Sequence, residues 1–169
     1  GFIVTVSSDK TAKIWDKDGN VINTLYLEEQ KSYFRWAKLS PDGNFIVTVT
    51  RDESPVLWDI KGMRYFVLKG HAFWLLPAYF SRDGKYLITL SDDNTGRLWN
   101  VHYKETSILK GKTSGGFTAV FSPAGSDKDV DGKLVLTHND KEIILWDRKG
   151  KMLTIVDRKS TRLNSSHGC

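Results

Sequence analysis

Three sets of side chains in this sequence have the types that do chemistry. Thr89, His71 and Asp93 supply a hydroxyl, an imidazole and a carboxylate, the parts of a hydrolase triad in which the imidazole takes the hydroxyl proton and the carboxylate orients the ring. That chemistry also needs an exposed oxygen, an oxyanion hole and a substrate cleft, and no Gly-x-Ser-x-Gly turn is present to offer such a nucleophile. A Gly-x-x-x-x-Gly-Lys phosphate loop is likewise missing, so no catalytic residue is assigned and the chain reads as non-enzymatic. The second set is Asp127-x-Asp129-x-Asp131-Gly132, alternate carboxylates before a glycine, which is how a calcium loop begins. Position 12 of such a loop wants a bidentate Glu and holds His138, and position 9 is Val135. A solvated acidic turn is preferred, with a calcium-stabilised structural module as the alternative; no other cofactor is implied. The third set is Tyr33, Arg35 and Trp74, residue types enriched at protein-binding hot spots, with Leu76 and Phe117 at sites equivalent to Arg35 once the repeats are aligned.

The elements that must hold these groups recur. Trp15, Trp58, Trp99 and Trp146 each follow an apolar residue, and three of the four precede Asp. Their separations are 43, 41 and 47 residues. A period of roughly 40–45 residues with Gly-His near one end and Trp-Asp near the other marks repeated four-stranded units. The clearest copy is the stretch 70–100, and the unit boundaries fall at 1–26, 27–70, 71–111 and 112–156. Within a unit, short runs rich in β-branched and aromatic residues are separated by turns such as Ser40-Pro41-Asp42-Gly43 and Ser81-Arg82-Asp83-Gly84, where Gly accepts a positive φ. Pro55 has no N–H for a ladder, so the third strand of its unit is expected to start just after it. The last unit carries an enlarged first turn, and one residue fewer separates Thr137 from Trp146 than separates Thr89 from Trp99.

Bulk properties narrow the class further. With 40% hydrophobic and 27% charged residues the chain has a globular composition. It contains no run of about 18 apolar residues and no signal-peptide pattern, and its single cysteine, Cys169, cannot form an intrachain disulfide. A cytoplasmic location is the default expectation. The net charge of +5 falls to +3 once residues 157–169 are set aside, and the remaining basic residues are interspersed with acidic ones. Nucleic-acid and membrane partners are therefore not expected. Residues 157–169 offer almost nothing apolar and read either as a disordered tail or, preferably, as translated adapter sequence that is not native.

Gly70-His71, the run 80–84, Ser91 to Thr95 and Leu98-Trp99-Asn100, taken in order, resemble WD repeats, and the resemblance covers essentially residues 1–156. It implies an all-β fold, a partial WD-repeat β-propeller of about three and three-quarter antiparallel four-stranded blades, the first lacking one strand. Such an arc would leave unpaired edges, so a larger propeller supplying the remaining blades is expected. The resemblance also implies a structural hydrogen-bonded tetrad, His71, Thr89, Asp93 and Trp99, which competes with the triad reading of the same residues and is preferred to it. Partial tetrads are Thr5, Asp9 and Trp15; Thr48, Asp52 and Trp58; and Asp140 with Trp146. Gln30 and Lys112 take the His position in two units, and those blades are expected to be held less tightly. The start of each first strand lies, in WD propellers, on the face that commonly receives partners, which makes Tyr33, Arg35, Trp74 and Leu76 the partner-binding candidates for protein or peptide ligands. The linking phrases LWDIKGMRYFVLKGH and LWDRKGKMLTIV resemble bacterial WD-repeat proteins, among them sensor propellers of signalling NTPases. The implied role is an interaction scaffold or sensor segment; the regulatory part of an enzyme whose catalytic domain lies elsewhere is the remaining alternative.

Overall fold

Short β-branched and aromatic runs cut by Gly, Asp and Asn can bury little by themselves, so they pair with their sequence neighbours. A computed structural model describes residues 1–27, 32–50, 54–73, 75–76, 78–110, 118–122, 134–138, 142–157 and 163–165. Four antiparallel sheets result, each a meander of consecutive strands. The first is β1 (Ile3–Val6), β2 (Ala12–Trp15) and β3 (Val21–Leu25), and the second is β4 (Phe34–Leu39), β5 (Phe45–Thr50), β6 (Val56–Asp59) and β7 (Arg64–Val67). The third is β8 (Tyr79–Phe80), β9 (Tyr86–Leu90), β10 (Thr95–Asn100) and β11 (Glu105–Lys110). The fourth is β12 (Thr118–Phe121), β13 (Leu134–His138), β14 (Glu142–Asp147), β15 (Met152–Asp157) and β16 (Leu163–Ser165). No helix among the described residues is long and apolar enough to cross a membrane. The architecture is that of WD-repeat propeller blades, with sheets that do not close on themselves.

Two local outcomes differ from the sequence expectation. The last blade ends at Asp157 rather than Val156, and β16 adds a fifth strand through Thr154↔Ser165, Ile155↔Asn164 and Val156↔Leu163, in a segment expected to lack strand structure. An open edge with free N–H and C=O groups takes any extended segment within reach, whatever its side chains, so apolar content is a poor guide there. In the third blade the first strand is only two residues long, preceded by an isolated bridge Leu75↔Ser91; Pro77, which lies between them in sequence, has no N–H to contribute. β6 begins at Val56 as anticipated, and the Pro55 carbonyl accepts from Leu68 N at 2.9 Å.

The chain forms two compact units, Gly1–Trp74 with the first two blades and Leu75–Cys169 with the last two. In the first unit Ala12, Ile14 and Leu25 of one blade pack with Phe34, Ile46, Val56 and Trp58 of the next. The second unit repeats this, with Ile88, Leu90, Leu98 and Leu109 against Ala119, Val135, Ile144 and Trp146. Burial falls on alternate residues in β2 and spreads to all six residues of β5. The second blade, where the His position falls on Gln30, is thus packed as closely along β5 as the third blade is along β9. Close approach between neighbouring blades is marked by two glycines. Gly62 (φ 81°) faces Leu25 and the Asn23 amide, which donates to the Lys61 carbonyl, and Gly150 (φ 79°) has the Ile108 carbonyl 3.0 Å from where a Cβ would stand. Both need a left-handed backbone and a missing side chain at once.

Candidate functional site

The tryptophans are placed by register. Thr5 pairs with Lys13, Thr48 with Val56, Thr89 with Arg97 and Thr137 with Ile144. Each Trp lies two residues further along the strand that pairs with its threonine, so it shares a face with that Thr on the diagonal. In all four blades the indole Nε1–H donates to the threonine Oγ1 at 2.8 Å. Thr137 and Trp146 keep this bond with one residue fewer between them because the strand register is unchanged; the difference falls in the connection between β13 and β14. Thr89 is fully buried and Trp99 is 2% exposed, so the candidate nucleophile faces an indole and not solvent.

The carboxylates named beside these threonines hold turns. Asp9 Oδ1 accepts from Thr11 N at 2.9 Å and Thr11 Oγ1 at 2.7 Å, and Asp93 Oδ1 accepts from Thr95 N at 2.9 Å and Thr95 Oγ1 at 2.6 Å. Each is preceded by a serine whose Oγ accepts the aspartate N–H, and each is followed by a residue in the left-handed region, Lys10 (φ 69°) or Asn94 (φ 62°). The Thr11 hydroxyl, and then its N–H, hold the Asp9 carboxyl below its ordinary value. His71 is partly buried and bridges to Lys69 at the end of the first unit, while Thr89, Asp93 and Trp99 belong to the second.

The first turn of a blade is equally explicit. Ser40 Oγ donates to Asp42 and accepts from Phe45 N, and Ser81 Oγ donates to Asp83 at 2.6 Å and accepts from Tyr86 N at 2.9 Å. Gly43 (φ 74°) and Gly84 (φ 70°) complete the reversals. Burial pushes the Asp42 and Asp83 carboxyls up. Their serine hydroxyls and following backbone N–H groups outweigh it and leave both below the ordinary carboxylate range, with Arg148 and Lys85 assisting at Asp83.

The residue after each Trp explains the Trp-Asp pair physically. Asp16, Asp59 and Asp147 turn their carboxylates onto backbone N–H groups of the next turn, at 2.8–2.9 Å, and the Asn20 side chain, followed by its N–H, holds the Asp16 carboxyl low. Four residues after Trp come Gly19, Gly62 and Gly150, all at positive φ, and the register then slips by one so that residues 22, 65 and 153 bulge. The third blade has Tyr103 at that site. A tyrosine resists the left-handed region, so the turn opens, Lys104 takes the positive φ (57°), Lys104 N reaches Asn100 O at 3.0 Å, and β10 and β11 pair without a bulge. The exception is visible in the sequence once the sites four residues after each Trp are aligned, Tyr103 against Gly19, Gly62 and Gly150.

Among the partner-binding candidates, Tyr33 and Arg35 are exposed at the start of β4. The ladder runs Phe34↔Thr50 and then Trp36↔Val49, so Arg35 sits in a bulge without a cross-strand partner and is aimed outward. Leu76 is partly buried against the core of the second unit. Asp52, Trp74, Phe117, Asp127, Asp129, Asp131 and Asp140 lie outside the described residues, within which no cluster of three or more metal-ligating side chains occurs.

Repeated four-stranded meanders, each braced by an indole-to-threonine bond and punctuated by aspartate-held turns, define a class of blade. Residues 62–100 match the family model described as WD domain, G-beta repeat. A 75-residue stretch is 39% identical to the nuclear distribution protein PAC1 of Candida tropicalis (strain ATCC MYA-3404 / T1), covering 43% of this chain and 15% of that protein. A 72-residue stretch is 38% identical to the WD repeat-containing protein AAC3 of Dictyostelium discoideum, covering 40% of this chain and 14% of that protein. The matched stretches thus span about one seventh of these relatives. The stretch 62–100 is thus similar to a WD repeat, and the four sheets share its plan.

Proposed function

We propose that this chain is a non-catalytic protein–protein interaction scaffold, whose blades present strand ends to protein or peptide ligands. One observation carries it: the side chains that would make a hydrolase are consumed in bracing. Thr89 Oγ1 is buried and bonded to Trp99, and Asp93 Oδ1 is bonded to the backbone and hydroxyl of Thr95. A nucleophile with no solvent face cannot meet a substrate. On this reading Thr89, Asp93 and Trp99 of the expected tetrad serve as braces, and Asp9, Asp93 and their counterparts stiffen turns that frame a binding face.

Tyr33 and Arg35 are the contact residues this proposal favours. Both are exposed, and the bulge spares Arg35 from the ladder. The test is affinity capture with the wild-type protein and with a Tyr33→Ala, Arg35→Ala double variant of equal thermal stability. Partners retained by the wild type are expected to be lost from the variant; equal retention would overturn the assignment. Thr89→Ser is expected to leave any ester hydrolysis at background, and a rise in hydrolysis would revive the enzymatic alternative.

A further inference from the structure

A strand at the edge of a sheet carries outward N–H and C=O groups, and folds usually answer these groups locally. Among the described residues the outer strands of the blades are β3, β7, β11 and β15, the last with β16 beyond it. Which groups point outward follows from the turns. Asp16 N donates to Asn20 O, Lys104 N to Asn100 O and Asp147 N to Lys151 O, each at 3.0 Å. Alternation from these bonds turns the main-chain groups of Thr24, Ile108 and Ile155 away from β2, β10 and β14.

Three of the edges are met close at hand. The Thr24 N–H donates to Asn23 Oδ1 at 2.7 Å, and the Asn23 amide donates to the Lys61 carbonyl of the next blade. The Ile108 carbonyl has Gly150 of the next blade against it. On β7 the Val67 carbonyl accepts from Lys69 N at 3.0 Å. β15 is answered by a strand instead: Ile155 stands opposite Asn164, flanked by Thr154↔Ser165 and Val156↔Leu163. Because Ile155 turns outward, it is Ile155 and Asn164 that exchange main-chain bonds.

We propose that the outer edge of β15 is a docking edge for an extended segment of a partner protein, added as an antiparallel strand, and that Leu163–Ser165 holds this edge in cis in competition with it. Recognition there runs through the main chain, since Leu, Asn and Ser carry little β-propensity and no charge and yet pair. The partner segment needs an N–H opposite Ile155, which excludes proline at that place. Joined through residues 158–162, the cis strand acts at an effective concentration on the order of millimolar and so masks the edge from weak partners. This goes beyond the scaffold role proposed above and does not rest on Tyr33 or Arg35.

The test is amide hydrogen exchange at Ile155 on the whole protein, with two proline variants. Asn164→Pro removes an N–H that faces β15, whereas Ser165→Pro removes one that faces away. Asn164→Pro is expected to speed Ile155 exchange at least ~10-fold, the scale of two lost hydrogen bonds, and Ser165→Pro to change it by less than about threefold. Binding is read by fluorescence anisotropy with a fluorescein-labelled nonapeptide of the sequence of residues 160–168, and with a second peptide that has proline in place of the asparagine. The first is expected to bind the Asn164→Pro protein at least ~10-fold more tightly than the wild type, and the second to bind neither. Unchanged exchange in Asn164→Pro, equal effects of the two variants, no binding of the first peptide, or equal binding of the two peptides would each overturn the proposal. If Asn164→Pro lowers overall stability, the wild type still decides, by binding the asparagine peptide and not the proline one.

Discussion

The two blade pairs meet in the same way and end differently. In the first unit the residues two after Trp58 and three before Thr5 are Ile60 and Phe2; in the second their equivalents are Arg148 and Tyr86. Ile60 packs against the core of its unit, while Arg148 lies over an aromatic ring beside a carboxylate. Both units keep the indole-to-threonine bond, and both seat a left-handed glycine, Gly62 or Gly150, under the outer strand of the preceding blade. The frame is held by polar bonds and close approach in both units, while the residues at the blade ends differ, apolar packing at Ile60 in one and a charged contact at Arg148 in the other.

The strongest challenge to a shared frame is Trp58→Phe against Trp99→Phe. Each removes the donor to a buried threonine and is expected to cost about 1–3 kcal/mol in denaturant unfolding. A discrepancy greater than the spread of replicate melts would mean that the two units are not braced alike. Gly62→Ala and Gly150→Ala come next, each losing about 1–2 kcal/mol for a left-handed alanine. Gly62→Ala is expected to lose more, since its Cβ would overlap the Asn23 amide, and Asn23→Ala should bring the two closer together.

Arg148→Ile, which copies the first unit's residue into the second, is expected to alter stability by less than about 1 kcal/mol, because the ion pair is long and partly exposed. Its sharper signature lies in acid. The lowered Asp83 carboxyl contributes stability that is present above its unfolded value of 3.8 and is lost as pH falls through the lower folded value. With Arg148 gone, the folded value moves up toward 3.8, so the loss should be smaller and complete at higher pH; an unchanged acid limb would show that Arg148 does not act on Asp83. The smallest expected effect is Lys104→Gly, a gain of about 0.5–1 kcal/mol from relieving a left-handed lysine, seen as a higher unfolding midpoint. The other blades, which already carry glycine at their left-handed site, offer no such gain.

Much of the frame was legible because its signals are local. Trp at a steady interval, Ser-x-Asp-Gly turns and Asp after Trp each act within a few residues, and the strands β3, β5 and β13 fall where alternation and turn residues put them. The diagonal bond between Thr and Trp follows from register alone. Other features depend on more than one segment. The bulge at Arg35 is a property of two strands, and the pairing of Leu163–Ser165 depends on an open edge being within reach. The open turn of the third blade arises because Tyr103 refuses a glycine's conformation. Its cause is written in the sequence, but only as a departure from the pattern of the other three units.

The aspartate-held turns have a consequence for how such a chain can change over time. Each carboxylate closes its own turn within two to four residues, as Asp16, Asp83 and Asp147 do. A substitution between the carboxylate and its donors is therefore absorbed where it falls. Loop content can be rewritten one blade at a time, so that new specificities are sampled without renegotiating the scaffold that carries them.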